Sequence, residues 1–111
     1  MEFLVRQLNR MPADEESRRL REELRPKERR VAQELREAGI LRRLWRVPGT
    51  QHAIGLYEAD DATALHDALS SLPMFPWLEI EIQPLAVHPQ ERKTPPVAPT
   101  APTTGSATDR P

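Results

Sequence analysis

Among the acids of this chain, Glu28 has the setting that general-base chemistry needs. At 100° per residue, Leu20, Leu24, Val31, Leu35 and Ala38 fall within an arc of about 60°. Glu28 projects about 50° from the centre of that stripe. A carboxylate at the rim of a buried face loses part of its hydration, which lifts its pKa toward values useful for moving protons. The plainer reading is a surface glutamate paired with a neighbour such as Arg25, and spacing alone leaves both open. A second group is the run Arg42-Arg43-Leu44-Trp45-Arg46. A guanidinium there can hold a substrate carboxylate through two parallel hydrogen bonds. The same charges also suit an edge strand protected against pairing with another chain. Of the three histidines, His52 opens a strand beside the Pro48-Gly49 turn, His66 borders the apolar face of a helix, and His88 precedes Pro89. None stands at His-x-x-x-His or Glu-x-x-His spacing with another ligand, so no metal site is expected.

Other chemistries are excluded or disfavoured by composition. There is no cysteine among the 111 residues, which removes thiolate nucleophiles, disulfides, zinc–thiolate sites and iron–sulfur clusters. The 16 Lys+Arg against 17 Asp+Glu give a net charge of −1, which argues against a broad nucleic-acid surface. No glycine-rich phosphate loop and no nucleophile elbow around Ser17, Ser70 or Ser71 is present. No apolar run approaches the roughly 20 residues that span a bilayer. The stretch from Met1 to Arg6 lacks a basic segment followed by a long apolar core, so a soluble cytoplasmic protein with no membrane partner is expected.

The elements that must position these residues read as follows. Phe3 and Val5 alternate with Leu4, Arg6 and Leu8, a strand. Asp14 caps a long helix that Gly39 closes. Eight acids and eight bases crowd between Asp14 and Ala38, a solvated face with i,i+4 pairs such as Glu15–Arg19 and Glu23–Lys27. Pro26 should kink that helix or split it near Leu24–Arg25. Leu41, Arg43, Trp45 and Val47 alternate with Arg42, Leu44 and Arg46, a second strand, and His52 to Ala59 form a third. Asp60 or Asp61 caps a helix whose Leu65, Ala68, Leu69 and Leu72 share a face, ended by Pro73. Leu78, Ile80 and Ile82 alternate with Glu79, Glu81 and Gln83, a fourth strand with one apolar face.

Strand, helix, strand, strand, helix, strand is the α+β, ferredoxin-like βαββαβ arrangement with an antiparallel sheet. Both helices then cover one face. The other, carrying Trp45 or Leu44 according to register, invites a second subunit. The folding unit is residues 1–89. From Gln90 to Pro111 the chain is rich in Pro, Thr and Ala and reads as a disordered tail, although its Pro95-Pro96-x-x-Pro99 spacing also suits an SH3-type ligand.

The blocks Leu41-Arg42-Arg43-Leu44-Trp45-Arg46, Leu65-His66-Asp67-Ala68-Leu69 and Leu72-Pro73-Met74-Phe75-Pro76-Trp77, with Leu85 to Pro89, resemble the muconolactone Δ-isomerase family over residues 1–89. The resemblance implies a subunit of the dimeric α+β barrel type, pairing through its sheets and building a decamer-like ring. It implies cofactor-free conversion of muconolactone, a small lactone bearing a carboxylate, to 3-oxoadipate enol-lactone in catechol breakdown through the β-ketoadipate pathway. Carried over by position, Glu28 is the base, Arg42 and Arg46 anchor the carboxylate, and Trp45 and His66 stand near the substrate. His52, from its place beside the turn, is a further candidate. Strand three departs from the family at Ala53 and Ile54, and Arg43 stands where a histidine is expected, departures that bear on the substrate and not on the fold. Two other readings stay open: a non-catalytic ligand-binding or assembly module, and another cofactor-free enzyme of the same barrel type.

Overall fold

The computed structural model describes residues 1–92. Four strands and two helices follow in the expected order: β1 (Glu2–Asn9), α1 (Glu15–Glu37), β2 (Leu41–Arg46), β3 (Ala53–Glu58), α2 (Ala62–Ser70) and β4 (Leu78–Leu85). The sheet is antiparallel with strand order β2-β3-β1-β4, so β1 and β3 lie at its centre. Apart from residues 90–92, the segment read as a disordered tail lies outside the described residues.

The caps explain where the helices begin and end. Asp14 accepts a hydrogen bond from the Ser17 amide at 2.7 Å, and Asp61 does the same for Ala64 at 2.8 Å. At the far end of α1, Gly39 takes a φ of +78°, which a side chain would strain. The turn lets the Gly39 and Ile40 amides reach back to the carbonyls of Arg36 and Leu35. Pro26 does not split α1, which runs unbroken through it. Pro26 lies on the exposed side, where water can take the carbonyl of Glu22 that the missing amide leaves free. Of the pairs expected along the helix, Glu15 holds Arg19 at 3.6 Å, whereas no ion pair joins Glu23 to Lys27 among the described residues.

The core lies between the helices and one face of the sheet: Phe3 and Val5 from β1, Tyr57 from β3, Leu41 from β2, Leu35 from α1, and Leu65, Ala68 and Leu69 from α2. With 23 residues, α1 is about 35 Å long at roughly 1.5 Å per residue. It outruns strands of about 20–27 Å at roughly 3.4 Å per residue. Leu35 is therefore buried near one end, while Leu20 and Leu24 toward the other are only half-buried.

Strand β2 departs from simple alternation. A bulge between Leu41 and Arg43 inserts one residue into the ladder with β3. Leu41 pairs with Tyr57 on the covered face, but beyond the bulge it is Leu44 and Arg46 that face the helices, opposite Gly55 and Ala53. Arg43 and Trp45 turn to the uncovered face, where the guanidinium lies 5.0 Å from the indole centroid. Arg42 reaches toward Glu58, 3.9 Å away. The expected sharing of one face by Arg42 and Arg46 is thus corrected: one extra residue sets them on opposite sides.

Candidate active site

Toward the Asn9 end of β1 the covered face changes character. Its inward positions run Phe3, Val5, Gln7, Asn9, the first two sealed in the core and the last two lining a cavity of about 270 Å³. Arg46 and Gln51 border it from β2 and the following turn, Ala53 and Leu78 from the sheet, and Arg21, Arg25, Glu28 and Arg29 from α1. Met74 closes it from the segment after α2.

That segment positions Glu28. Pro73 follows α2, and Pro76 lies within the short 3₁₀ turn Phe75–Trp77. Between the prolines the Met74 amide is free to donate, and it does so to Glu28 Oε1 at 3.0 Å. Asn9 fixes Met74 from below, its Nδ2 lying 3.0 Å from the thioether sulfur while its Oδ1 accepts from the Met11 amide at 2.9 Å. Glu28 is half-buried, and loss of hydration pushes its carboxyl above the ordinary carboxylate value, against the smaller pull of the Met74 amide. Among the described residues no cation pairs with Glu28. The cavity therefore keeps an unpaired carboxylate apart from several guanidiniums. Two of these are braced by backbone carbonyls, Arg46 on Gln51 at 3.3 Å and Arg21 on Met11 at 3.2 Å. A proton acceptor and an anion anchor thus share one small space, which is what proton transfer on a carboxylate-bearing molecule requires.

The profile of the muconolactone delta-isomerase family matches residues 1–91. A muconolactone delta-isomerase of Pseudomonas aeruginosa is 37% identical over 89 residues, covering 80% of this chain and 92% of the relative. One from Rhodococcus opacus is 36% identical over 75 residues, 68% of this chain and 81% of the relative. A solved muconolactone isomerase superposes with a TM-score of 0.72 at 34% identity, over 80% of this chain and 92% of that one. This chain belongs to the muconolactone delta-isomerase family. Its curated relatives are named as isomerases.

For a member of the muconolactone delta-isomerase family, the candidate residues divide sharply between the two faces of the sheet. Glu28 and Arg46 line the same cavity. Arg42 and Trp45 stand on the uncovered face with Arg43. His52 is there too, beside Arg6, Leu8, Glu79 and Glu81, with its Nδ1 buried and unpartnered. His66 is exposed on α2, edge-on to Phe75 at 5.9 Å. No group of three or more potential metal ligands occurs among the described residues. Nor is any helix among them long and apolar enough to cross a membrane.

The sequence reading passes over Gln7, Arg21 and Arg29, and names Arg25 only as an ion-pair partner for Glu28, a pair that does not form among the described residues. The signal for Gln7 and Asn9 was present: polar residues at inward positions of a strand that begins Phe3-Leu4-Val5. Tyr57 is buried with its ring across Gly55, where an added Cβ would lie 2.7 Å from Cε1. Burial first, then the charge of Glu28, push its hydroxyl up to about 12, with Arg36 pulling the other way. It belongs to the apolar core and does not line the cavity.

Proposed function

We propose that this chain isomerises a carboxylate-bearing unsaturated lactone, muconolactone itself or a close analogue, without a cofactor. The observation that carries the proposal is the pairing of an uncompensated Glu28 with Arg46 across one cavity. In an α,β-unsaturated lactone the γ proton is acidic because its loss spreads charge through a dienolate onto the carbonyl oxygen. Glu28 takes that proton and returns it to the α carbon, so the double bond moves and no atom is gained or lost. Arg46 holds the substituent carboxylate and keeps the γ carbon facing the base. The Gln7 side chain lines the cavity and has no hydrogen-bond partner among the described residues, which suits it to donate to the dienolate oxygen. A raised carboxyl pKa makes the Glu28 carboxylate a stronger base and narrows its gap to the carbon acid.

The two competing readings lose support from the same geometry. A purely structural Glu28 would be ion-paired on the outer surface, and a site for an uncharged polyketide or aromatic compound would lack an inward arginine. The uncovered face, with Leu4, Leu8, Trp45, Ile54 and Leu56, supports the further proposal that two copies pack sheet to sheet. The decisive measurement is muconolactone conversion by the purified protein in deuterated water, followed by proton NMR. Enol-lactone formation with part of the original γ proton recovered at the α carbon supports a single shuttling base. A folded protein that leaves muconolactone unchanged sinks the assignment.

A further inference from the structure

The charges on α1 are not paired evenly along its surface. Away from the cavity, Arg18 and Arg19 meet Glu15 at 3.1 and 3.6 Å, and Arg18 also meets Glu22 at 3.5 Å. Arg21, Arg25 and Arg29 have no carboxylate partner among the described residues, as Lys27, Arg30 and Arg36 of the same helix have none; what sets the three apart is that all of them line one cavity. They stand at i, i+4 and i+8, so three guanidiniums stack along one edge of the helix, an arrangement that destabilises a helix by like-charge repulsion. Arg46 brings a fourth from across the cavity, against the single carboxylate of Glu28. One guanidinium suffices to anchor one carboxylate through two hydrogen bonds. Three more, unpaired and aligned, exceed what a monocarboxylate lactone needs.

We propose that the site takes a lactone carrying two carboxylates, the first on Arg46 and the second on the Arg21–Arg25–Arg29 stripe. This rests on the isomerase reading above and names its substrate class. The second anion fills the space between stripe and sheet and screens the repulsion along the helix. Glu28, held by the Met74 amide, lines the same cavity as both anchors. Two anchors fix the ring about both of its ends, so the proton to be moved is presented in one orientation.

The test compares a dicarboxylate with a monocarboxylate of the same length, using calorimetric titration of the full chain with adipate and with hexanoate at low salt. Adipate binding at least tenfold tighter than hexanoate is expected. That ratio should fall below threefold in Arg21→Gln/Arg25→Gln, whose melting temperature without ligand should rise as the repulsion is relieved. The charge-preserving Arg25→Lys, which keeps the stripe, should retain most of the preference. Equal affinity for the two acids overturns the proposal, as does a preference that survives in the double glutamine variant. Equal affinity is also the result expected if acids of a neighbouring copy already occupy the stripe. Muconolactone turnover, measured separately, distinguishes the two failures. Turnover without dianion preference leaves the isomerase reading intact and removes this one. Dianion preference without muconolactone turnover keeps the dicarboxylate site and overturns muconolactone as the substrate.

Discussion

The covered face of the sheet has two ends built on the same strands and serving opposite purposes. At one, Phe3, Val5, Tyr57, Leu65, Leu69 and Leu72 pack under the helices with almost no exposed surface. At the other, the same alternation delivers Gln7, Asn9 and Ala53, and the bulge in β2 delivers Arg46, to a cavity roofed by the free half of α1. On β1 and β3 neither the pairing nor the period changes between them; only the side chains do. The apolar end supplies most of the burial that stabilises the fold. That stability lets the polar end keep a half-buried carboxylate unpaired and arginines in a row, both of which work against folding. The contrast teaches where function is carried: in the residues that follow the strand pattern and break its chemistry.

The largest effect expected on this contrast comes from Glu28→Gln. Conversion of muconolactone should fall by about 10²–10⁴-fold, the usual contribution of a general base, while the amide still accepts from Met74 and the fold is kept. The variant should also melt higher than the wild type at neutral pH. Glu28 titrates higher in the folded chain than its ordinary value of 4.5. Between those two values folding takes up a proton, so its contribution to stability falls as pH rises through that window and stays low above it. The melting difference between variant and wild type should therefore shrink as the pH is lowered toward 4.5, while wild-type activity declines in the same direction. A difference that does not change with pH would mean the two ends of the face are not in opposition.

Leu65→Ala at the sealed end should cost about 2–5 kcal/mol in urea unfolding, the range for a truncated core leucine. It should leave turnover per folded molecule near the wild-type value. Gly55→Ala sits between the ends. Its new methyl meets the Tyr57 ring, so it should cost about 1–3 kcal/mol as an overpacked position does. If the ring shifts, KM should change as well, the one case in which both ends respond together. Smallest is Arg25→Gln, which removes two like-charge i,i+4 contacts and should stabilise the unliganded chain by about 0.4–1 kcal/mol, seen as a higher urea midpoint. A loss of stability there would show that the arginine stripe supports the fold instead of straining it.

Much of the fold was legible because its signals are local. Asp14 and Asp61 cap where their side-chain chemistry says they should, Gly39 supplies the left-handed turn, and Phe3 and Val5 of β1 with Leu78 and Ile80 of β4 face the core as read, while Ile82 at the far end of β4 stays exposed. Glu28 could be placed at the edge of the apolar stripe because an unbroken helix preserves the angle between positions. What resisted reading was non-local. The bulge that parts Arg42 from Arg46 depends on how β2 pairs with β3, and nothing in Leu41-Arg42-Arg43 alone announces it. That Pro26 leaves α1 whole follows from its facing solvent, a matter of tertiary placement. The hold of Met74 on Glu28 joins residues 46 positions apart.

The bulge in β2 has a consequence for how such a site can change. With Leu41 kept in place, pulling the strand flat would shift everything after it by one step: Trp45 would turn under the helices and Arg46 would turn out. The same six residues therefore hold two linings in reserve, one cationic and one aromatic, separated by a slip in phase and by no substitution at all. A lineage bearing this strand could exchange anionic ligands for flat, uncharged ones by altering pairing geometry alone, leaving the encoded side chains as they were.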